Sequence, residues 1–377
     1  MRRVDQTQSQ ILEGGPPKEA AIARNRLLGV PPAGSSACSP AQDGFRMPPE
    51  MSPHERTLMA WPCRAELWGP HLGAAREEYA GVANSVAAFE PVTMVVADAA
   101  TAAEARARLT ARVEVVTLPL DDSWMRDNGP IFVLDDAGRR AGVHFCFNAW
   151  GEKFGGWDRD EAAGGTLAGI YGDLTYEVPI VLEGGSILID AGGRLVTTEQ
   201  CLLSPNRNPQ LDRGAIEAAL CSNLGATEVV WLGRGLYDDR DTDGHVDGFA
   251  AFTDGGELIL QARPPGDPDH ETMAENHERA VAAGMQIVDF TPMARGDVGD
   301  VNVALAYLNL YLCNGGAIVP LAGGASAKAD EEALAILRSL LPGREVVGVP
   351  GLVISYGGGG PHCITQQVPA RRGAKCD

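Results

Sequence analysis

A glycine run that ends in a thiol stands out near the end of this chain: Gly357-Gly358-Gly359-Gly360-Pro361-His362-Cys363. Glycines let backbone approach a ligand closely and adopt conformations that other residues avoid. A cysteine at the mouth of such a loop is placed to act as a nucleophile. A thiol with an ordinary pKa of about 8.5 is mostly protonated at neutral pH and needs a base or a cation beside it. Upstream stretches offer such groups. His245 and Asp247 occur in Gly244-His245-Val246-Asp247, and share one face if that segment is extended. Glu183, in Leu182-Glu183-Gly184-Gly185, is a candidate to orient the imidazole and hold its proton. Asp127 follows Trp124 in Ser123-Trp124-Met125-Arg126-Asp127. One thiol, one imidazole and three carboxylates suit a planar cation rich in N–H donors. Two carboxylates grip a guanidinium through paired hydrogen bonds, Trp124 offers a cation–π wall, and the electrophilic carbon then lies over Cys363. Taken singly, each residue has a plainer reading: Trp124 as core, Asp127 beside Arg126 as a salt-bridged turn, Glu183 and His245 as turn residues.

The argument for convergence comes from the elements around them. The pattern predicts a helix over Leu72–Phe89, a strand over Pro91–Val96, a helix over Ala99–Leu109 and strands over Val113–Val116 and Ile131–Leu134, the last closed by the hairpin signal Asp135-Asp136-Ala137-Gly138. The hairpin pattern then returns three times, around Ala191-Gly192-Gly193, Thr253-Asp254-Gly255-Gly256 and Asn314-Gly315-Gly316, with one strand read over Val303–Leu312. A polar residue heads each repeat: Asp127, Glu183, His245, Asn302 and Cys363, with gaps of 56, 62, 57 and 61 residues. A period near 60 exceeds that of the common solenoids. It predicts an α/β fold, a five-bladed propeller of ββαβ-type repeats about a pseudo-five-fold axis, with the hairpin heads meeting at the centre.

Composition narrows the setting. Among 377 residues, 50 acids oppose 31 bases for a net charge of −19, and 45% are hydrophobic. That balance excludes a nucleic-acid partner, which needs a basic face, and favours a cationic one. No apolar run reaches membrane-spanning length. The start lacks the apolar core of a signal peptide, and no two of the eight cysteines have CxxC spacing, so reduced thiols in a cytoplasm are expected. Residues 1–45, rich in Gln, Pro, Ser, Gly and Ala, read as a disordered extension, and 46–377 as a single catalytic domain.

Several long stretches resemble the agmatine deiminases of the guanidino-group-modifying (pentein) superfamily: MPPEMSPHERTLMAWP at 47–62, DDSWMRDNGPIFV at 121–133, FNAWGEK at 147–153, LEGGSILIDAGGRLVTTEQCLLSPNRNP at 182–209, GLYDDRDTDGHVDGFAAF at 235–252, AYLNLYLCNGGAIVP at 306–320 and GGGGPHCITQQVP at 357–369. The resemblance implies a five-bladed α/β propeller that uses no metal or cofactor and hydrolyses agmatine to N-carbamoylputrescine and ammonia, a step in putrescine and polyamine synthesis or in agmatine catabolism. It places the nucleophile on Cys363, the acid/base histidine on His245, its supporting glutamate on Glu183 and the guanidinium-gripping aspartates on Asp127 and Asp247. Gly358 and Gly359 join the substrate-binding set. The acidic run Asp238–Asp247 offers Asp241 or Asp243 for the distal ammonium, whereas free arginine would require a cation for its carboxylate. Departures from the family pattern fall at Gly360-Pro361, at Leu188 in place of His, at Ala306 in place of Ser and in a shorter segment after Gly151. Competing readings are a deiminase of arginine or peptidyl-arginine, a manganese ureohydrolase using the DxHxD pattern of Asp243–Asp247, and a polyamine-binding protein. A homodimer is a further expectation, although helix faces that would carry it serve equally well as core.

Overall fold

The structure is a computed structural model and describes residues 38–371. Its recurring unit is an antiparallel hairpin, a crossover helix and a third strand parallel to the second. In one unit, Ile131–Leu134 pairs antiparallel with Arg140–Cys146, the helix Asp158–Tyr171 crosses over, and Leu174–Val181 runs parallel to Arg140–Cys146. The same order holds for Leu188–Ile189, Arg194–Thr198 and Glu228–Leu232, with the helix Arg213–Leu224. It holds again for Ala250–Phe252, Leu258–Gln261 and Ile287–Phe290, with His270–Ala282, and for Tyr311–Cys313, Gly316–Leu321 and Glu345–Pro350, with Ala327–Leu340. The first unit borrows its hairpin partner from the far end. Thr365–Pro369 pairs antiparallel with His54–Ala60, Val92–Val96 lies parallel after the helix Leu72–Val86, and Val113–Thr117 extends the sheet. Five sheets in sequence, the last strand closing the first, are the blades expected from the repeat.

The local chemistry explains the elements. Strands in the middle of parallel pairings are covered on both sides and read as unbroken apolar runs: Val92–Val96 is buried at every position. Four hairpin turns contain a glycine with positive φ, Gly138, Gly193, Gly256 and Gly315, where a side chain would be strained. Apolar packing also joins neighbouring blades: Met273 and Ala280 of the helix His270–Ala282 share one buried cluster with Leu258 and Leu260 of their own blade and Val230 of the blade before.

Two expectations need correction. Val303–Leu312 is not one strand. Val301–Leu305 pairs with Ala294–Val298 in a separate antiparallel ribbon, and a turn precedes Tyr311–Cys313. Asn302 is exposed on that ribbon, bonded to Asp297 at 2.8 Å, so it does not head the fifth hairpin; Asn309 does. The folded body also starts earlier than Arg46. Phe45 is buried against Tyr176, with ring centroids 6.0 Å apart, because an aromatic side chain has more to gain in the core than in solvent. The expectation for residues 1–37 lies outside the described residues.

Candidate active site

The hairpin heads meet. Gly185 marks the spot: a Cβ there would stand 2.7 Å from His245 Nδ1, 2.8 Å from Asp127 Oδ1 and 2.9 Å from Asp247 Oδ2. Only a glycine leaves room for three functional groups to converge this closely. His245 and Asp247 reach the spot through a short 3-10 turn, Val246–Gly248, and not through the extended segment expected from sequence. Cys363 Sγ lies 3.5 Å from Asp247 Oδ2 and accepts a hydrogen bond from Asn309 Nδ2 at 3.1 Å. The thiol, imidazole and three carboxylates are all buried.

Each group is held by its neighbours. Asp127 Oδ2 accepts from Trp150 Nε1 at 2.9 Å and Oδ1 from the Gly185 amide at 3.0 Å. Trp150 is delivered by a strained segment: Ala149, Trp150 and Glu152 have φ of 51°, 56° and 64°, a region that costs a non-glycine residue on the order of 1 kcal/mol. Glu183 Oε1 accepts from Arg207 Nε at 2.6 Å, and its Oε2 stands 3.9 Å from His245 Nε2. Glu183 therefore faces the imidazole at longer than hydrogen-bond distance while Arg207 fixes it. The Cys201 sulfur completes the wall behind His245: donor atoms of Glu183, Cys201 and His245 lie within 4.8 Å of one another, the one such His/Cys/Asp/Glu group among the described residues. Each of its members already shapes the imidazole's surroundings.

The electrostatics follow from this layout. Burial drives the Cys363 thiol well above its ordinary pKa, and the charges of Asp247 and Asp127 push it further. Burial also raises Asp127, to about 6, with His245 opposing. Burial would raise Asp247 too, but the hydrogen bond and charge of His362 outweigh it and hold Asp247 below the usual carboxylate range. Glu183 is lowered as well, the Arg207 charge overcoming its burial. His245 is driven well above its usual value because Asp127, Cys201 and Glu183 outweigh its desolvation. The unliganded site thus combines a neutral thiol with a protonated imidazole and an excess of carboxylate, a combination that a planar cation would complete.

A cavity of about 120 Å³ reaches these groups, lined by Asp241, His245, Asp247, Asn309, Gly359 and Cys363 among others. A smaller one of about 20 Å³ touches Cys363 from the side of Trp124, Asp127 and Trp150. Trp124 forms part of its wall, stacked on Trp68 at 5.9 Å. Gly359 packs so tightly that a Cβ would be 2.6 Å from Trp124 and 3.0 Å from Cys363 Sγ, and Gly358, at φ 105°, turns the loop beside Asp241. Ala306, one of the departures from the family pattern, lines the larger cavity.

Asp243 does not join the site. Its carboxylate is taken by Lys153 Nζ at 2.7 Å and by Asn206 and Arg207 at 2.9 Å, because it turns away at φ 62°. That also dissolves the DxHxD pattern as a common ligand set, since Asp243 and Asp247 are committed to different partners. Asp241 lines both cavities and is exposed at the mouth. Sequence reasoning assigned no role to Trp150, Arg207, Asn309, His362 or Glu50. All five stand inside the family-like stretches, which was the available signal.

With this geometry in view, the profile of the Porphyromonas-type peptidyl-arginine deiminase family matches residues 46–369. An agmatine deiminase of Stutzerimonas stutzeri is 41% identical over 88% of this chain and 97% of its own length. One from Pseudomonas aeruginosa is 40% identical over 89% and 98%. Among solved structures, agmatine deiminase of Enterococcus faecalis superposes with a TM-score of 0.83 at 33% identity, covering 89% of this chain and 98% of that one. A substrate-bound agmatine deiminase of C. jejuni gives 0.79 at 26% identity, over 87% and 97%.

Proposed function

The chain belongs to the agmatine deiminases, within the Porphyromonas-type peptidyl-arginine deiminase family, and from that premise we propose that it hydrolyses agmatine to N-carbamoylputrescine and ammonia through a covalent bond to Cys363. The observation that supports this most is the pair of buried carboxylates, Asp127 and Asp247, beside a buried thiol and imidazole. Asp127 and Asp247 grip the guanidinium. Its charge offsets the two anions that hold the thiol neutral, and Cys363 gives up its proton to water. The thiolate attacks the central carbon. The His245 imidazolium donates a proton to the leaving nitrogen, the C–N bond breaks, ammonia departs and a thiouronium remains. Neutral His245 then takes a proton from water as the hydroxide adds. Collapse breaks the C–S bond, expels the Cys363 thiolate and releases the ureido product, whose extra proton passes to solvent. Such acid/base help is worth about 10² to 10⁴ in rate. Glu183, fixed by Arg207, keeps His245 in place, Trp124 lies along the guanidinium plane, and Gly358 and Gly359 let the substrate pass close to backbone.

Asp241 faces the distal ammonium of agmatine at the cavity mouth. Nearby Asp239 adds to the negative field that would repel the carboxylate of arginine, with Lys153 opposing it. The closure of the site around Cys363 disfavours a peptidyl substrate. The folded body, Phe45 included, acts as one catalytic domain, and the protein works in the cytoplasm as a homodimer. No helix among the described residues is long and apolar enough to cross a membrane, and the exposed Ile170 and Val281 are helix residues that a second copy would cover.

The test is ammonia release from agmatine and, in parallel, from arginine, with a metal chelator present throughout. Release from agmatine alone, with a ureido product and no urea, is expected. Urea as product, or release abolished by the chelator, would replace the thiol route by a metal-dependent ureohydrolase. Activity on arginine alone would overturn the substrate and keep the catalytic set.

A further inference from the structure

Asp247 Oδ2, the oxygen that Cys363 Sγ approaches at 3.5 Å, also meets a buried ionic network that the steps above do not use. His362 Nδ1 is 2.8 Å from Asp247 Oδ2, and His362 Nε2 is 2.7 Å from Glu50 Oε2. A carboxylate at each ring nitrogen calls for a hydrogen on both, and only the imidazolium carries two. The ring cannot swing away. Its backbone amide donates to Asn309 Oδ1 at 3.2 Å, and its carbonyl accepts from Arg126 Nε at 3.2 Å. Glu50 is fixed as firmly, accepting from Arg126 Nη2 at 3.2 Å and from the Leu312 amide at 2.8 Å. A cavity of about 30 Å³, bordered by Glu50, Arg126 and His362, closes the far side of the network.

We propose that His362 is a positioning residue for guanidinium binding: clamped between Asp247 and Glu50, it fixes the Asp247 carboxylate toward the substrate and keeps it ionised beside Asp127. The inference rests on the reading of Asp247 as one arm of the guanidinium grip. Two carboxylates sharing a dry site repel, and one of them ordinarily takes up a proton. Here the choice between them is made by His362 at Asp247 Oδ2. Asp247 faces the cations His362, His245 and Arg126, with the Cys363 thiol and Asp127 as its other titratable neighbours. His362 faces Asp247, Glu50 and Arg126. The directions agree with the contacts: His362 lies above its usual value, its two carboxylates outweighing burial and the Arg126 charge, while Glu50 is pulled to about 2 against its own burial.

Two variants test this. His362→Gln retains a donor of similar reach but no charge. Glu50→Gln retains the ring but removes the anion behind it. The measurements are KM and kcat for agmatine from pH 6 to 9 and, independently of turnover, the calorimetric Kd of agmatine in a Cys363→Ser background. His362→Gln is expected to raise KM and Kd roughly tenfold, the equivalent of one unit of lost charge bias, with a smaller change in kcat. Glu50→Gln is expected to bind normally near neutrality and to lose affinity at a lower alkaline pH than the parent, because its imidazolium deprotonates sooner. Should His362→Gln fail to fold, the alkaline limb of Glu50→Gln decides the matter. Parental KM and Kd at every pH in the folded variants would overturn the proposal, as would a fall in kcat with affinity untouched. Agmatine that binds the Cys363→Ser protein but is not turned over by the parent would sink the proposed reaction and leave this inference to the Kd series. Agmatine that binds neither would sink both.

Discussion

Asp127 accepts its hydrogen bonds from two uncharged donors, the Trp150 indole and the Gly185 amide, whereas Asp247 accepts from the His362 ring, which carries a charge. Burial acts on the two carboxylates alike, pushing both toward the neutral form. His245, 3.8 Å from Asp127, opposes the rise without hydrogen-bonding to it, so the bonded partner decides the outcome: Asp127 rises to about 6 and Asp247 falls below its ordinary range. Dipoles of neutral donors orient a buried carboxylate without fully replacing the water it lost, while an adjacent cation does replace it. The two arms of one grip are therefore unequal. Asp247 is a fixed anion, and Asp127 is the arm that titrates.

The harshest way to break the comparison is to remove the group that both arms flank. Cys363→Ser should lower kcat by about 10⁴-fold or more, with calorimetry still registering agmatine. Substantial residual turnover would rule out the covalent route. Next come the arms themselves. Asp247→Asn strands the His362 charge against a neutral amide, and breaking a buried ion pair on one side is severe. A rise in KM of about 100-fold is expected for it, against about tenfold for Asp127→Asn. Equal losses in steady-state kinetics would erase the asymmetry. The pH profile sharpens the same point. Asp127 is ionised above a pKa of about 6 and binds a cation only in that form, so KM should climb by about tenfold per unit as pH falls below that value. Asp127→Asn should flatten that limb. The smallest effect is expected of Trp150→Phe, which deletes one neutral donor to Asp127 and should raise KM at neutral pH by about three- to tenfold, the usual worth of one hydrogen bond. A circular dichroism spectrum like the parent's would exclude collapse of the strained loop as the cause.

The convergence of Asp127, Glu183, His245 and Cys363 was legible because each stands at the head of a repeating unit, and a repeat leaves a period in the sequence. The period failed at Asn302, where an inserted ribbon with its own alternation displaces the count, and Asn309 takes the place at the centre. Asp243 was misread for another reason. An acidic run gives no sign of which carboxylate points inward, and Lys153 and Arg207, far off in sequence, capture this one. The His362–Glu50 contact joins residues 312 positions apart, so no local pattern could disclose it. Trp150 was hidden by its backbone, since a run of left-handed residues follows neither helical nor strand periodicity.

The strand Thr365–Pro369 completes the first sheet, and Cys363 stands two residues before it. A ribosome working toward that strand releases Asp127, Glu183 and His245 well ahead of the nucleophile, and the sheet begun first is finished last. A nascent chain therefore carries Asp127, Glu183 and His245 before it has either the nucleophile or the His362 that holds Asp247. The nucleophile and the strand that closes the first sheet thus arrive together, at the end of synthesis.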